Sequence, residues 1–216
     1  MARLKDQKRR TASSRAWLTR QISDPYVARA KREGLRSRAA FKLAEIDDRY
    51  KVFKPNARVV DLGAAPGGWS EIAAQRVGDN GHVIALDILA MKPIPGVEFL
   101  QLDFLDRSAP ARLQAMLGTA RAGKADVVLS DMAANATGHR QTDHLRIMAL
   151  AEAAAEFARE VLAPGGSFLC KVLQGGTEPA LLAELKRDFA SVRHVKPPAS
   201  RSDSAELYLL AQGFRG

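Results

Sequence analysis

The sequence predicts an α/β protein: a mostly parallel, right-handed sheet with helices on both faces and one antiparallel strand at its end. Three observations predict it. From residue 57 onward, short β-branched-rich segments alternate with helix-forming stretches, as parallel strands joined by crossover helices require. The fifth of these segments is apolar on both faces, the pattern of a strand covered on both sides. The last two follow one another without a helix between them, so they are expected to pair antiparallel.

The elements follow in chain order. Ser37–Asp48 reads as a helix with Phe41, Leu43 or Ala44, and Ile46 turned inward, which docks the preceding arm onto the sheet. Ala57–Leu62, His82–Ile88, Val97–Asp103 and Ala125–Asp131 read as the first four strands, each followed by a turn signal or a run of helix formers. Thr142–Leu162 is the clearest helix. Thr142 offers an N-cap, Leu145, Met148, Ala151, Ala155, Ala158 and Val161 recur at three- or four-residue steps, and Pro164–Gly165–Gly166 stops it. Ser167–Leu173 is the fifth strand, Glu178–Phe189 a helix, and Val192–Lys196 and Glu206–Ala211 are the closing pair.

A length of 216 residues fits one domain with an appendage. The division expected is a basic, partly flexible arm over residues 1–35 and one domain over 36–216. With 46% hydrophobic and 26% charged residues, the composition excludes disorder throughout, collagen-like repeats and coiled-coil rods. The single cysteine, Cys170, excludes an intramolecular disulfide and a Cys-based zinc cluster, and fits a reducing, cytoplasmic setting. No run of about 18 apolar residues is present to span a bilayer.

Charge is distributed unevenly. Residues 1–42 hold 13 Lys or Arg against three acids, a net of +10, while the other 174 residues carry 20 basic and 21 acidic side chains. A cationic arm on a near-neutral body implies a polyanionic partner, and nucleic acid is the first choice because each neutralised phosphate releases counterions. A membrane surface fits less well, since the arm lacks an apolar stripe. The Arg- and Ser-rich start also resembles a mitochondrial transit peptide.

In such a sheet, ligands bind where the loops converge at the carboxyl ends of the strands. The loop Asp61–Ser70 (DLGAAPGGWS) carries Gly63, Gly67 and Gly68 between the first strand and its helix. It lacks the Lys-Ser/Thr of a P-loop, and its glycine spacing is not the dinucleotide pattern. Asp87 ends the second strand, where a carboxylate can accept from both hydroxyls of an adenosine ribose. Asp103 ends the third and can accept from an adenine amino group. Together they point to an adenosine cofactor without a pyrophosphate.

Asp131 ends the fourth strand, and Lys171 sits inside the apolar fifth. Phe168, Cys170 and Val172 share one face of that strand, and Lys171 lies with Leu169 and Leu173 on the other. Burial on both sides makes a neutral, proton-accepting amine more accessible there. His139 and His144 lack the spacing of a zinc site, so no metal is expected. Trp17 in the arm can stack on a base or anchor the arm, and Trp69 is expected to line the cofactor pocket.

Five segments resemble the FtsJ/RrmJ family of ribosomal RNA 2′-O-methyltransferases: GLRSRAAFKLAEID at Gly34–Asp47, DLGAAPGGWS at Asp61–Ser70, LSDMAANATG at Leu129–Gly138, LAPGGSFLCKVLQG at Leu162–Gly175 and SRSDSAELYLLA at Ser200–Ala211. The resemblance implies a Rossmann-like class I fold with a seven-stranded sheet, dependent on S-adenosylmethionine. It implies a catalytic Lys–Asp–Lys–Glu set at Lys42, Asp131, Lys171 and Glu206, and a cofactor site at Gly63, Gly67, Trp69, Asp87, Asp103 and Asp131. The implied substrate is a uridine ribose in large-subunit (23S) ribosomal RNA, with the assembled 50S subunit as its expected form and the enzyme acting as a monomer. Two departures stand out: Ala40, where the family often has an aromatic residue, and Ala134, where it commonly has proline.

The chemistry is consistent with these residue types. A 2′-hydroxyl is a poor nucleophile until its proton leaves, whereas a sulfonium-bound methyl is already activated, so the enzyme aligns the reactants and accepts one proton. Lys171 is the expected acceptor; Asp131 positions Lys171 and the methionine portion of the cofactor, and Glu206 orients Lys42 or the ribose. Three other readings stand beside this one. Transfer RNA or another RNA is an alternative substrate. Base methylation at carbon 5 of cytosine needs a Pro-Cys nucleophile, and Cys170 follows Leu169. A non-catalytic RNA-binding assembly factor would have no use for an intact set of four.

Overall fold

The structure is a computed structural model, and it describes residues 24–134, 138–174 and 179–216. Arm residues 1–23, with Trp17, lie outside the described residues. Helices α1 (Pro25–Glu33) and α2 (Ala39–Tyr50) precede the sheet. Then follow β1 (Arg58–Leu62), α3 (Gly68–Val77), β2 (His82–Asp87), β3 (Val97–Gln101), α4 (Ala109–Leu117) and β4 (Ala125–Ser130). The chain closes with α5 (Arg140–Val161), β5 (Leu162–Leu173), α6 (Pro179–Asp188), β6 (Phe189–Val195) and β7 (Glu206–Phe214).

The described strands form one seven-stranded sheet in the order β3-β2-β1-β4-β5-β7-β6. β1 pairs parallel with β2 and β4, β3 with β2, and β5 with β4, whereas β7 is antiparallel to both β5 and β6. The order reverses between β1 and β4, the place where doubly wound sheets open a ligand crevice. Two apolar layers cover the sheet. On one face α4, α5 and α6 bury Leu113, Phe157, Ala158 and Leu185 against Val60, Ile84, Phe168 and Cys170. On the other, α2 and α3 bury Leu43, Ile46, Trp69 and Ile72 against Val59, Leu129, Leu169 and Tyr208. β5 thus lies between two cores, as its apolar pattern predicts.

Several expectations shift in detail. The long helix starts at Arg140 with His139 at its N-cap, so Thr142 lies inside the first turn. β5 begins at Leu162, and Pro164–Gly165–Gly166 falls where its register against β4 jumps, from Ala125 opposite Leu162 to Val127 opposite Ser167. These residues bulge the strand. β3 ends two residues early, leaving Asp103 in a turn. In α2, Ala40, Leu43 and Ile46 face the sheet, whereas Phe41 turns away to Ala30, Ala199 and Tyr26. Ala40 is fully buried, so the small side chain is accommodated by close packing. No described helix is long and apolar enough to cross a membrane.

Candidate active site

β1, buried along its whole length, runs into the glycine loop. Gly63 has φ +77°, and a Cβ there would lie 2.8 Å from the main chain of Met132. Only glycine tolerates both conditions, and the contact presses the loop after β1 against the loop that carries Asp131. The N–H groups of Gly63 and Ala64 donate to Leu86 O at 2.9 and 3.1 Å. Ala65 N–H donates to Asp87 Oδ2 and Leu89 N–H to Asp87 Oδ1, both at 2.8 Å. Asp87 therefore braces the loop, and each oxygen retains lone-pair capacity beyond that bond.

Asp103 Oδ1 accepts from Leu105 N–H at 2.9 Å. Its carboxylate stands exposed at the end of the row Asp103, Asp87, Gly63, Asp131, which follows the strand order β3-β2-β1-β4. Three strand spacings make that row about 14 Å long. Sequence reasoning missed the side chains beside it. Ile88, Leu89 and Leu105 are 58%, 63% and 63% exposed, so large apolar groups flank both carboxylates without protein packed over them. The legible signal was a bulky aliphatic residue within two positions of each strand-end aspartate.

Trp69 is where the site departs from expectation. It is 2% exposed, its ring lies 5.5 Å from that of Tyr208, and its indole N–H donates to Ala39 O at 3.0 Å. The side chain is core and ties α3 to α2 rather than lining a pocket. What Trp69 can present to a ligand is its main-chain N–H in the first turn of α3, where N–H groups lack intrahelical acceptors. Gly67, with φ +106°, caps that turn.

Asp61 lies beneath the loop, fully buried. Ser70 Oγ donates to its Oδ2 at 2.6 Å, and its Oδ1 has no partner. Burial, abetted by the charges of Asp131 and Asp87 and opposed by the Ser70 bond, pushes its carboxyl up to about 7. The folded chain therefore holds a proton that the unfolded chain releases near pH 4, and stability from this group falls as pH rises through that window to about 7. Asp61→Asn should remove the dependence. Urea unfolding is expected to favour the variant over wild type more at pH 8 than at pH 5, by up to about 3 kcal/mol; an equal difference at the two pH values would refute the assignment.

The second part of the site comes from β5 and β7. Their antiparallel register pairs Lys171 with Tyr208 and Leu173 with Glu206, so Lys171, Tyr208 and Glu206 share the face covered by α2. That helix brings Lys42 onto the same face. Lys42 Nζ lies 2.6 Å from Glu206 Oε1 and 3.2 Å from Tyr208 Oη. Lys171 Nζ lies 3.1 Å from Asp131 Oδ1 and donates to Asp131 O at 2.6 Å. All four side chains predicted for catalysis meet there, at 11–20% exposure.

Tyr208, which sequence reasoning did not single out, joins the two ion pairs. Its hydroxyl lies 3.0 Å from Glu206 Oε1 and 3.4 Å from Asp131 Oδ1. One phenolic proton serves both carboxylates, with Glu206 the nearer acceptor. Burial, reinforced by the charges of Asp131 and Glu206, raises the phenol well above its usual range, so it stays protonated. For Glu206, burial works to raise the carboxyl, but the ammonium groups of Lys42 and Lys171 prevail and hold it below the usual range. Its alternation position on β7 could have identified Tyr208, two residues from Glu206 on one face.

Beyond Lys171, an open groove lined by Gln141, Asp143, His144, Leu145, Leu173, Gln174 and Ala205 continues from the ends of β5 and β7. Exposed aliphatic side chains and two carboxylates thus stand together on the β1–β3 side. A cluster able to handle one proton stands on the β5–β7 side, with Asp131 between them.

Comparison with known proteins identifies the family of the chain. The model of the FtsJ-like methyltransferase family matches residues 35–214. A ribosomal RNA large subunit methyltransferase E of Xanthobacter autotrophicus is 64% identical over 99% of this chain and 84% of its own length. A protein of that name from Azorhizobium caulinodans is 63% identical over 99% of this chain and 89% of its own. A solved structure described as a ribosomal RNA methyltransferase from Plasmodium falciparum superposes with a TM-score of 0.72 at 31% identity, covering 84% of this chain and 99% of that one.

Proposed function

The chain belongs to the FtsJ-like methyltransferase family, and on that premise we propose that it transfers a methyl group from S-adenosylmethionine to the ribose 2′-hydroxyl of a uridine in large-subunit ribosomal RNA. The observation that carries this reading is the closed set Lys42, Glu206, Tyr208, Asp131 and Lys171 beside the glycine loop. Nothing in that set attacks a base covalently; Cys170 is fully buried on the opposite face of β5, and burial pushes its thiol up to about 12.

The cofactor fits the residues present. The unpartnered, buried Asp61 Oδ1 calls for a donor, which the amino group of a methionine moiety would supply if the loop above it admits that group. Asp87 and Asp103 would hold the ribose and adenine, Ile88, Leu89 and Leu105 the adenine faces, and Gly63, Gly67 and the first turn of α3 the methionine portion. When bound, S-adenosylmethionine supplies an electrophilic methyl on a sulfonium.

The protein's own part is a proton and an alignment. A neutral amine has two N–H donors and one lone pair. Once Lys171 has given up its third proton, the main-chain and side-chain oxygens of Asp131 would take its two remaining N–H groups and leave the lone pair for the 2′-hydroxyl proton. Glu206 and Tyr208 anchor the Lys42 amino group at the edge of the site, where it orients the ribose oxygen or its flanking phosphate. The groove beyond Lys171 leaves room for neighbouring nucleotides.

The bacterial relatives and the absence of a membrane-spanning helix among the described residues support a cytoplasmic setting. The test is incubation with methyl-labelled S-adenosylmethionine and, in parallel, naked large-subunit RNA, assembled 50S subunits, small-subunit RNA and transfer RNA, followed by mapping. Label on one uridine 2′-oxygen of large-subunit RNA, strongest on 50S subunits, is expected. Label on transfer RNA alone would replace the substrate assignment, and no transfer to any arm would overturn the enzymatic one.

A further inference from the structure

Asp24 opens the described chain, yet it is among the most buried carboxylates of the molecule, with its side chain 4% exposed. A helix cap needs far less. Its Oδ1 accepts from Tyr26 N–H at 3.0 Å, which caps α1. Its Oδ2 takes two guanidinium groups: Arg201 through Nε at 2.9 Å and Nη2 at 2.8 Å, and Arg38 through Nη1. Burial works to raise this carboxyl, but Arg201 and Arg38 prevail and hold it below the usual range.

Each arginine leads to one half of the Lys42–Glu206 pair. Arg38 stands at the start of α2, four residues before Lys42, one turn away on the same helix face. Its second terminal nitrogen, Nη2, donates to Ala199 O. Arg201 adjoins Ser200, whose Oγ donates to Glu206 Oε1 at 3.1 Å. The loop 197–205 is held at a second point as well, because Ala199 N–H donates to Glu45 Oε2 at 2.7 Å, and Tyr26 Oη donates to Glu45 Oε1 at 3.2 Å. Ala199 and Ser200 are buried, 0% and 8% exposed, so the loop is packed where it meets the cluster. With Asp24 neutralised, two like-charged guanidinium groups would face each other with nothing between them to draw them together, and would move apart.

We propose that Asp24 is a positioning residue for the catalytic cluster: by drawing Arg38 and Arg201 together it fixes the 197–205 loop where Ser200 orients Glu206, and through Glu206 Lys42. The root of the cationic arm and the lock on the catalytic pair are thus one carboxylate. This rests on the methyltransferase reading of the site.

The test uses the full-length protein, labelled S-adenosylmethionine and large-subunit RNA in single-turnover reactions saturated in both. Asp24→Asn keeps the shape and a capping oxygen while removing the charge, and should slow the saturated rate about tenfold. Ser200→Ala should slow it by less, and the double variant should be no slower than Asp24→Asn alone. Arg201→Gln, which leaves the cap and Arg38 untouched, provides a second variant with a loss of a few-fold, again without further loss on adding Ser200→Ala. A saturated rate equal to wild type overturns the proposal, whether the variant changes only the RNA concentration needed for saturation or only the melting temperature. A loss that multiplies with that of Ser200→Ala overturns it too. Wild-type protein runs alongside: if it transfers no label, the methyltransferase reading has failed rather than this one.

Discussion

Lys171→Ala is expected to slow single-turnover methyl transfer by about 10²- to 10⁴-fold, the range that a positioned general base contributes, while cofactor affinity stays near the wild-type value. The asymmetry follows from geometry. Among the described residues Lys171 donates to Asp131, on the far side of that residue from Asp87 and Asp103, so its removal should leave the β1–β3 side intact. Asp131 keeps its main-chain bond to Leu62 O at 3.1 Å and its contact with Tyr208, which holds the loop in place. Calorimetric titration with S-adenosylmethionine and a rapid-quench rate at saturation separate binding from chemistry. A variant that retained most of the single-turnover rate would exclude Lys171 as proton acceptor.

The second large effect concerns affinity. Residues 2–23 carry seven Lys or Arg and one Asp, a net of +6. If those charges neutralise phosphates, deleting them should lower the slope of log affinity against log salt by about 4 to 5, and weaken binding at low salt by several hundredfold or more. The end point of the deletion matters. A cut through residue 25 would remove Asp24 and with it the clamp on Arg38 and Arg201, mixing loss of RNA affinity with damage to the cluster. Removing 2–22 leaves the clamp, so the saturated rate should hold while the RNA concentration needed for half-saturation rises. Filter binding from about 50 to 200 mM salt spans the range where such slopes are measured. An unchanged slope would show that the arm does not contact phosphate.

The sequence carried much of this on local chemistry. Strand–helix alternation and the two-sided apolar pattern of Ser167–Leu173 specify a covered parallel strand, because side chains alternate with a period of two whatever their partners are. A lysine within that run was conspicuous for the same reason. The glycine loop was readable because positive φ and close approach leave few residue choices. The resemblance to a known family then located Lys42 and Glu206, which local pattern alone does not single out.

What remained hidden depended on distance between segments far apart in the chain. Trp69 reads as a pocket residue in its loop, but α2 covers it, and only that docking shows that its indole belongs to Ala39. Tyr208 reads as one more aromatic in a strand until the β5–β7 register sets it opposite Lys171 and between two carboxylates. Asp24 was only one of three acids in a basic segment; its capping of α1 and its meeting with Arg201 across 177 residues have no trace in local composition. The amino-acid order by itself determined which segments become strands and helices and where a lysine interrupts an apolar strand, since those follow from near-neighbour sterics and apolar periodicity. The tertiary structure alone decided which charges share a proton or a partner, because electrostatic pairing depends on separation in space and on the exclusion of water, and neither is set until the sheet closes.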